Sequence, residues 1–285
     1  MLAIKRQVDR CPFHGGLIWA IPELKVAGSV GVCKFFMLAG GMCSKRLILA
    51  ILPALVYWML SAFYAIIKKV CVTSTTTCDG EREKNRARPK FVALSVLVQQ
   101  FVHCTLGYCL LSLSALDNSK SERSFFGNAL RFAAAAIILD AFQYHCHAWM
   151  HKTPWAYKHI HATHHRIVSP YAFAALYVHP IESIMLDGVS GMLACTVSGL
   201  TSHSVLCSVF LCLSTAKTVS DHSGLDLPYD PFMVLFRNNS QYHELHHSVG
   251  KGRGKMHLSQ PWFTVWDQFY ESRRQRHGGT RGTYE

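Results

Sequence analysis

Apolar positions in this chain gather into long runs. Residues 47–67, LILAILPALVYWMLSAFYAII, hold no charge and are bracketed by Lys45-Arg46 and Lys68-Lys69. At about 1.5 Å per residue a helix of this length covers a bilayer core of about 30 Å, so the pattern predicts a spanning helix. A second run, 91–116, is softened by Gln99, Gln100 and His103, which predicts one face turned toward protein or a cavity. A third, 125–144, opens on Phe125-Phe126 and runs through FAAAAIIL into Asp140. Two shorter stretches, 183–200 and 204–219, are interrupted by Asp187 and Lys217 and joined by Gly199-Leu200-Thr201-Ser202. They predict a helical hairpin of marginal spanning length.

The expected fold is therefore all-α: an integral membrane helical protein with spans in 47–144 and a helical cap in 145–271 that includes the hairpin. Residues 1–46 read as a poorly defined arm and 272–285 as a basic tail. Half the chain is hydrophobic and only 16% charged, which excludes a disordered chain or a coiled coil. The net charge of +12 sits at the periphery: +5 in residues 1–46, +4 in 68–90, −1 in 91–250 and +4 in 251–285. Basic blocks flanking apolar runs are what juxtamembrane segments show, and they argue against a nucleic-acid partner. If the loop 68–90 is cytosolic, parity puts 145–182 and 220–285 on that same side. The N-terminal arm conflicts with this topology unless 26–43 also crosses.

The eleven cysteines form no Cys-x-x-Cys pair and read as small buried hydrophobes. Histidine is more specific. His147 and His151 make a His-x-x-x-His, while His161, His164 and His165, and again His243, His246 and His247, make two His-x-x-His-His triplets. With 17 histidines in 285 residues, roughly 0.06 such triplets are expected by chance. Positions i, i+3 and i+4 share a helical face, so each spacing predicts imidazoles converging on a common metal. His179, before Pro180, and His222, in Asp221-His222-Ser223-Gly224, bring the candidate ligands to ten. Ten nitrogens exceed the four of a structural zinc site and argue for two metals with room for an exchangeable ligand. Imidazole suits zinc, copper and iron alike, so the ligands leave the metal open. Asp140, Asp221, Asp226, Asn238, Asn239 and Glu244 are candidates for holding the rings in orientation.

The stretch DAFQYHCHAWMHKTPWAYKHIHATHHRIVSPY at 140–171, followed by ALYVHPIES, TAKTVSDHSGLDLP, FRNNSQYHELHH and LSQPWFTVWD, resembles the fatty acid hydroxylase superfamily. Within it the likeness is to the sphingoid base 4-hydroxylases of plants and fungi and covers roughly residues 51–270. The resemblance implies an endoplasmic-reticulum enzyme whose ten histidines hold two irons. These would use O2, with electrons passed from NADPH through cytochrome b5, to hydroxylate carbon 4 of a sphingoid base or ceramide. It also places His159 beside the ligand set rather than in it. His145 departs from the aromatic residue usual at its position. No nucleotide or flavin motif occurs in the sequence, so a separate membrane electron donor is expected; a homo-oligomer is left open. A sterol desaturase, a sterol methyl oxidase or an aldehyde-forming lipid oxidase would carry the same boxes. A histidine-rich metal transporter is the alternative outside enzymes, but it predicts ionisable groups along the spans rather than triplets beyond them.

Overall fold

The structure is a computed structural model that describes residues 45–72, 85–113, 125–248, 258 and 260–276. The N-terminal arm with its expected span at 26–43, most of the basic loop, the tip between the second and third runs, and the end of the basic tail lie outside the described residues. Among the described residues, four helices are long and apolar enough to cross a membrane. They are α1 (Lys45–Val72), α2 (Pro89–Leu113), α3 (Phe125–Lys152) and α7 (Ser204–Asp221). The described residues contain no strand. The chain is an all-helical membrane protein, as the apolar runs predict. Met59, Ile66, Phe101 and Ile137 stand out from the helices at 55 to 75% exposure, a surface that only lipid would cover at modest cost.

Between and after the spans the chain is cut into shorter pieces: α4 (Pro154–His159), a 3-10 turn at His161–Arg166, α5 (Pro180–Ser183), α6 (Ser190–Val197), α8 (Pro231–Leu235), α9 (Ser240–Ser248) and α10 (Val265–Arg276). Proline explains three of the starts. Pro154, Pro180 and Pro231 each occupy the first helical position, where a missing N–H costs nothing. The expected hairpin has unequal legs. Its second leg is the regular helix α7, whereas the first passes through a π-helical segment, Ile184–Val189, before α6. Such wide turns arise where a side chain must be turned inward, and Asp187 lies in this one.

Two apolar cores hold the spans together. Tyr57, Tyr64, Val92, Val96, Tyr177 and Val219 join α1, α2 and α7 to the loop 171–178. Ala135, Leu139, Ala194, Cys195 and Phe210 join α3, α6 and α7. Polar contacts then fix the loop: Tyr57 donates to the Phe173 carbonyl (2.6 Å) and Gln99 to the Val178 carbonyl (2.7 Å). This answers the expectation for Gln99, whose face turns toward protein. The C-terminal ends of α3 and α7 come together, and Trp149 and Trp155, at 44 and 61% exposure, mark the level where α3 leaves the apolar zone.

Candidate metal centre

Nine of the ten candidate histidines meet where α3 and α7 end. His147, His151, His161, His165 and His246 form one group and His164, His222, His243 and His247 a second, with the ligand atoms of each group within 4.8 Å of one another. Each triplet is split between the groups, although its spacing predicts imidazoles converging on a common metal. His161 and His165 face the first group and His164 the second, while His243 and His247 face the second and His246 the first. In α9 the reason is angular: His243 and His247 differ by about 40° around the α-helix, whereas the His246 ring lies about 60° to the other side. Two sites set side by side take both directions, and the His165 and His247 rings are 5.0 Å apart across the boundary.

The rings are held from behind. His147 Nδ1 lies 2.9 Å from the Leu258 carbonyl, His164 Nδ1 3.0 Å from Tyr177, His222 Nδ1 2.8 Å from Thr218 and His247 Nδ1 2.7 Å from Ile167. A carbonyl only accepts, so each of these Nδ1 atoms carries the proton and each Nε2 presents its lone pair inward. Within the first group neighbouring Nε2 atoms are 2.8 to 3.3 Å apart, and within the second 2.9 to 3.4 Å. Ligands about 2.0 to 2.1 Å from one ion and at right or tetrahedral angles stand about 2.9 to 3.4 Å apart. Lone pairs facing one another at that distance repel unless a cation lies between them, so the donor set fits a metal in each group. Burial pushes His164 down to about 4 and His222 to about 3, and drives His161, His165, His243 and His247 well below the ordinary value. All are neutral at pH 7, the form that ligates.

His179 does not join either group. Its Nδ1 instead accepts the Ile181 N–H (3.3 Å) at the start of α5, a cap favoured because Pro180 opens the helix there. The neighbour that does reach the centre is Glu182, three residues on. It is 1% exposed, and its Oε1 lies 2.7 Å from His161 Nδ1. Sequence reasoning missed it, because an acid in a first helical turn is commonplace. Since a carboxylate behind a metal-facing imidazole raises the ligand's basicity, Glu182→Ala is expected to weaken metal retention by about 10- to 100-fold. Glu182→Gln, which can still accept from Nδ1, should restore most of it. Metal content after dialysis against a graded chelator series checks this, and equal retention by all three proteins would remove Glu182 from the centre.

Of the residues expected to orient the rings, Asp140, Asp221 and Asn239 make their hydrogen bonds elsewhere. Asp140 is fully buried and accepts from the Trp262 and Phe263 N–H groups (2.8 and 3.1 Å) and from Trp266 Nε1 (2.8 Å). It thereby fastens the segment from Leu258 to Trp266, whose Leu258 carbonyl holds His147. His159 is exposed and turns back to the Trp155 carbonyl (2.9 Å) of its own helix. Asp221 is taken by Lys217, and Asn239 accepts the Tyr242 N–H (3.2 Å) to start α9. His145 reaches Tyr270 (2.9 Å), away from the centre. Gly224 brings the two histidine-bearing loops together: at φ +63° it lets the chain pass so close to Pro170 that a Cβ would sit 2.6 Å from that carbonyl oxygen.

A small cavity of about 50 Å³ touches His161, His164, His222 and His243. It shares Gln143, Leu176, Asp187, Thr218 and Pro261 with a larger one of about 240 Å³, whose walls of Leu49, Ala54, Leu106, Met192 and Leu211 lie among the spans. A mostly apolar cavity that ends against buried neutral imidazoles suits a long hydrocarbon chain brought end-on or side-on to a metal.

The family model described as fatty acid hydroxylase matches residues 132–272, which contain both histidine groups. Sphinganine C4-monooxygenase 1 of Arabidopsis thaliana is 37% identical over 235 residues, covering 81% of this chain and 89% of its own. Sphingolipid C4-hydroxylase sur2 of Schizosaccharomyces pombe is 32% identical, covering 75% and 84%. Very-long-chain aldehyde decarbonylase GL1-9 of Oryza sativa subsp. japonica is 35% identical, covering 80% and 90%. No solved structure matches the chain. Shared length, the matched region and the paired imidazole clusters at the end of the spans lead to one conclusion, that this chain is a membrane oxidoreductase and belongs to the fatty acid hydroxylase family.

Proposed function

We propose that the protein hydroxylates carbon 4 of a long-chain sphingoid base, converting sphinganine to phytosphingosine, at a pair of irons held by the nine clustered histidines. The observation that carries this reading is the apolar cavity among the spans ending on those histidines. When bound, the irons supply the activation of O2 that an unactivated C–H bond requires. The protein supplies the rest. Its backbone carbonyls hold the imidazoles with Nε2 inward, its buried walls exclude water, and its cavity fixes the alkyl chain. Overall the substrate and one O2 take up two electrons and two protons and give the 4-hydroxylated base and water. Those electrons come from NADPH through cytochrome b5 in the endoplasmic-reticulum membrane, on whose cytosolic face the histidines lie. Relatives named for sphinganine or sphingolipid 4-hydroxylation, matched over most of their length, support the substrate.

The rice decarbonylase is as similar as these, so very-long-chain aldehydes are the second substrate to test. Expression of the full chain in a host that lacks 4-hydroxylated sphingoid bases should make them appear in total lipid hydrolysates read by mass spectrometry. Unchanged bases with altered sterols or depleted long-chain aldehydes would overturn the assignment.

A further inference from the structure

Asp187 lies where the two cavities join, so it borders both the histidine centre and the space among the spans. Its Oδ2 accepts from the Ser183 hydroxyl (3.1 Å), and that hydroxyl in turn accepts from His103 Nε2 (3.3 Å), which also lines the larger cavity. A carboxylate at the neck of a mostly apolar cavity is costly to desolvate, and a cation brought against it offsets that cost. Gln100, three residues before His103 on α2, lines the same larger cavity and is 7% exposed. Its Oε1 is committed to the Trp58 indole N–H (2.6 Å), which only donates, so the amide orientation is fixed. Its Nε2 is buried with no hydrogen-bond partner among the described residues. No acceptor for that N–H stands among the described residues, and a group that enters the cavity can supply one.

We infer that Asp187 and Gln100 form the head-group subsite of this enzyme, the Asp187 carboxylate pairing with a protonated primary amine and the Gln100 amide donating to a hydroxyl. The inference rests on the sphingoid-base reading and sharpens it. A free long-chain amine is a cation at neutral pH, with a pKa of about 10. An N-acylated base is not, and it would leave the carboxylate with the Ser183 hydroxyl and no opposite charge from the substrate. The subsite therefore selects the free base over the ceramide. The placement also fits the chemistry, because the amine carbon and carbon 4 are separated by only about 2.5 Å, and a partner for the amine must stand beside the centre.

Binding of radiolabelled ligands to the purified full-length protein in lipid nanodiscs tests this without depending on turnover. Asp187→Asn keeps the volume and the Ser183 hydrogen bond. It is expected to weaken sphinganine and octadecylamine by about 10- to 100-fold while leaving N-acetylsphinganine within about twofold. Gln100→Leu should weaken sphinganine by about 3- to 10-fold and leave octadecylamine, which has no hydroxyl, unchanged. If Asp187→Asn weakens all three ligands alike, or leaves sphinganine binding intact, the subsite is wrong. Wild-type protein that 4-hydroxylates sphinganine but shows no Asp187 dependence overturns the subsite alone. Asp187-dependent amine binding without hydroxylation overturns the reaction alone.

Discussion

His164→Ala is expected to lower 4-hydroxylation below about one-thousandth of the wild-type rate, whereas His179→Ala should stay within a few-fold of it. The two substitutions remove the same side chain from neighbouring loops, so the contrast isolates position. His164 is buried, its Nδ1 proton is committed to the Tyr177 carbonyl, and its Nε2 stands 3.4 Å from that of His222 inside the second group. His179 is occupied in capping α5. Metal analysis of purified protein separates the cause from misfolding. Wild type and His179→Ala should each retain about two ions per chain, one for each group, and His164→Ala about one. Full hydroxylation by His164→Ala, or loss of metal from His179→Ala, would overturn the division of the ligands drawn from the geometry.

Which features the sequence announces follows from the physics behind each. The spans α1, α2 and α3 were legible because uncharged runs bracketed by basic residues have few other solutions in water. The continuation of the third span through His147 and His151 was legible for the same reason, since nothing between Tyr144 and Lys152 breaks a helix. The π segment was not, because Ile184–Val189 has the same apolar composition in either helical form. The histidines declared themselves by clustering. Their sharing between two sites depends on the separation of α9 from the 161–166 turn, which no local spacing encodes. His179 looked like a ligand and Glu182 did not, although they are three residues apart in one His-Pro-Ile-Glu stretch. The difference is the direction in which α5 leaves the loop, a tertiary fact. Asp140 bonds Trp262, Phe263 and Trp266 rather than a histidine ring, and reaches the centre only through the segment that carries the Leu258 carbonyl.

Lys217 reads in the sequence as a flaw in an apolar run, yet it is fully buried, and removing it is expected to cost more stability than any other single polar change. Its ammonium donates to both Asp221 oxygens (2.5 and 2.6 Å) and to the Asn238 carbonyl (2.7 Å), two residues before α9 begins. One side chain thus ties the end of α7, next to His222, to the helix that carries His243, His246 and His247. Lys217→Met keeps the aliphatic stem but strands the Asp221 carboxylate and the Asn238 carbonyl in a low-dielectric interior. Breaking a buried pair in this way costs about 3 to 5 kcal/mol, whereas exchanging both partners for apolar residues is often nearly neutral. Lys217→Met should therefore lower the thermal midpoint in detergent sharply and release metal from the second group before the first. Lys217→Met combined with Asp221→Leu should regain most of the stability. The comparison is a double-mutant cycle read by thermal unfolding alongside metal content. An unchanged midpoint for the single variant, or a double variant worse than the sum of its parts, would show that the pair is not what joins α7 to α9. Recovery of stability without recovery of metal in the double variant would assign the Asn238 contact, rather than the ion pair, to the placement of His243, His246 and His247.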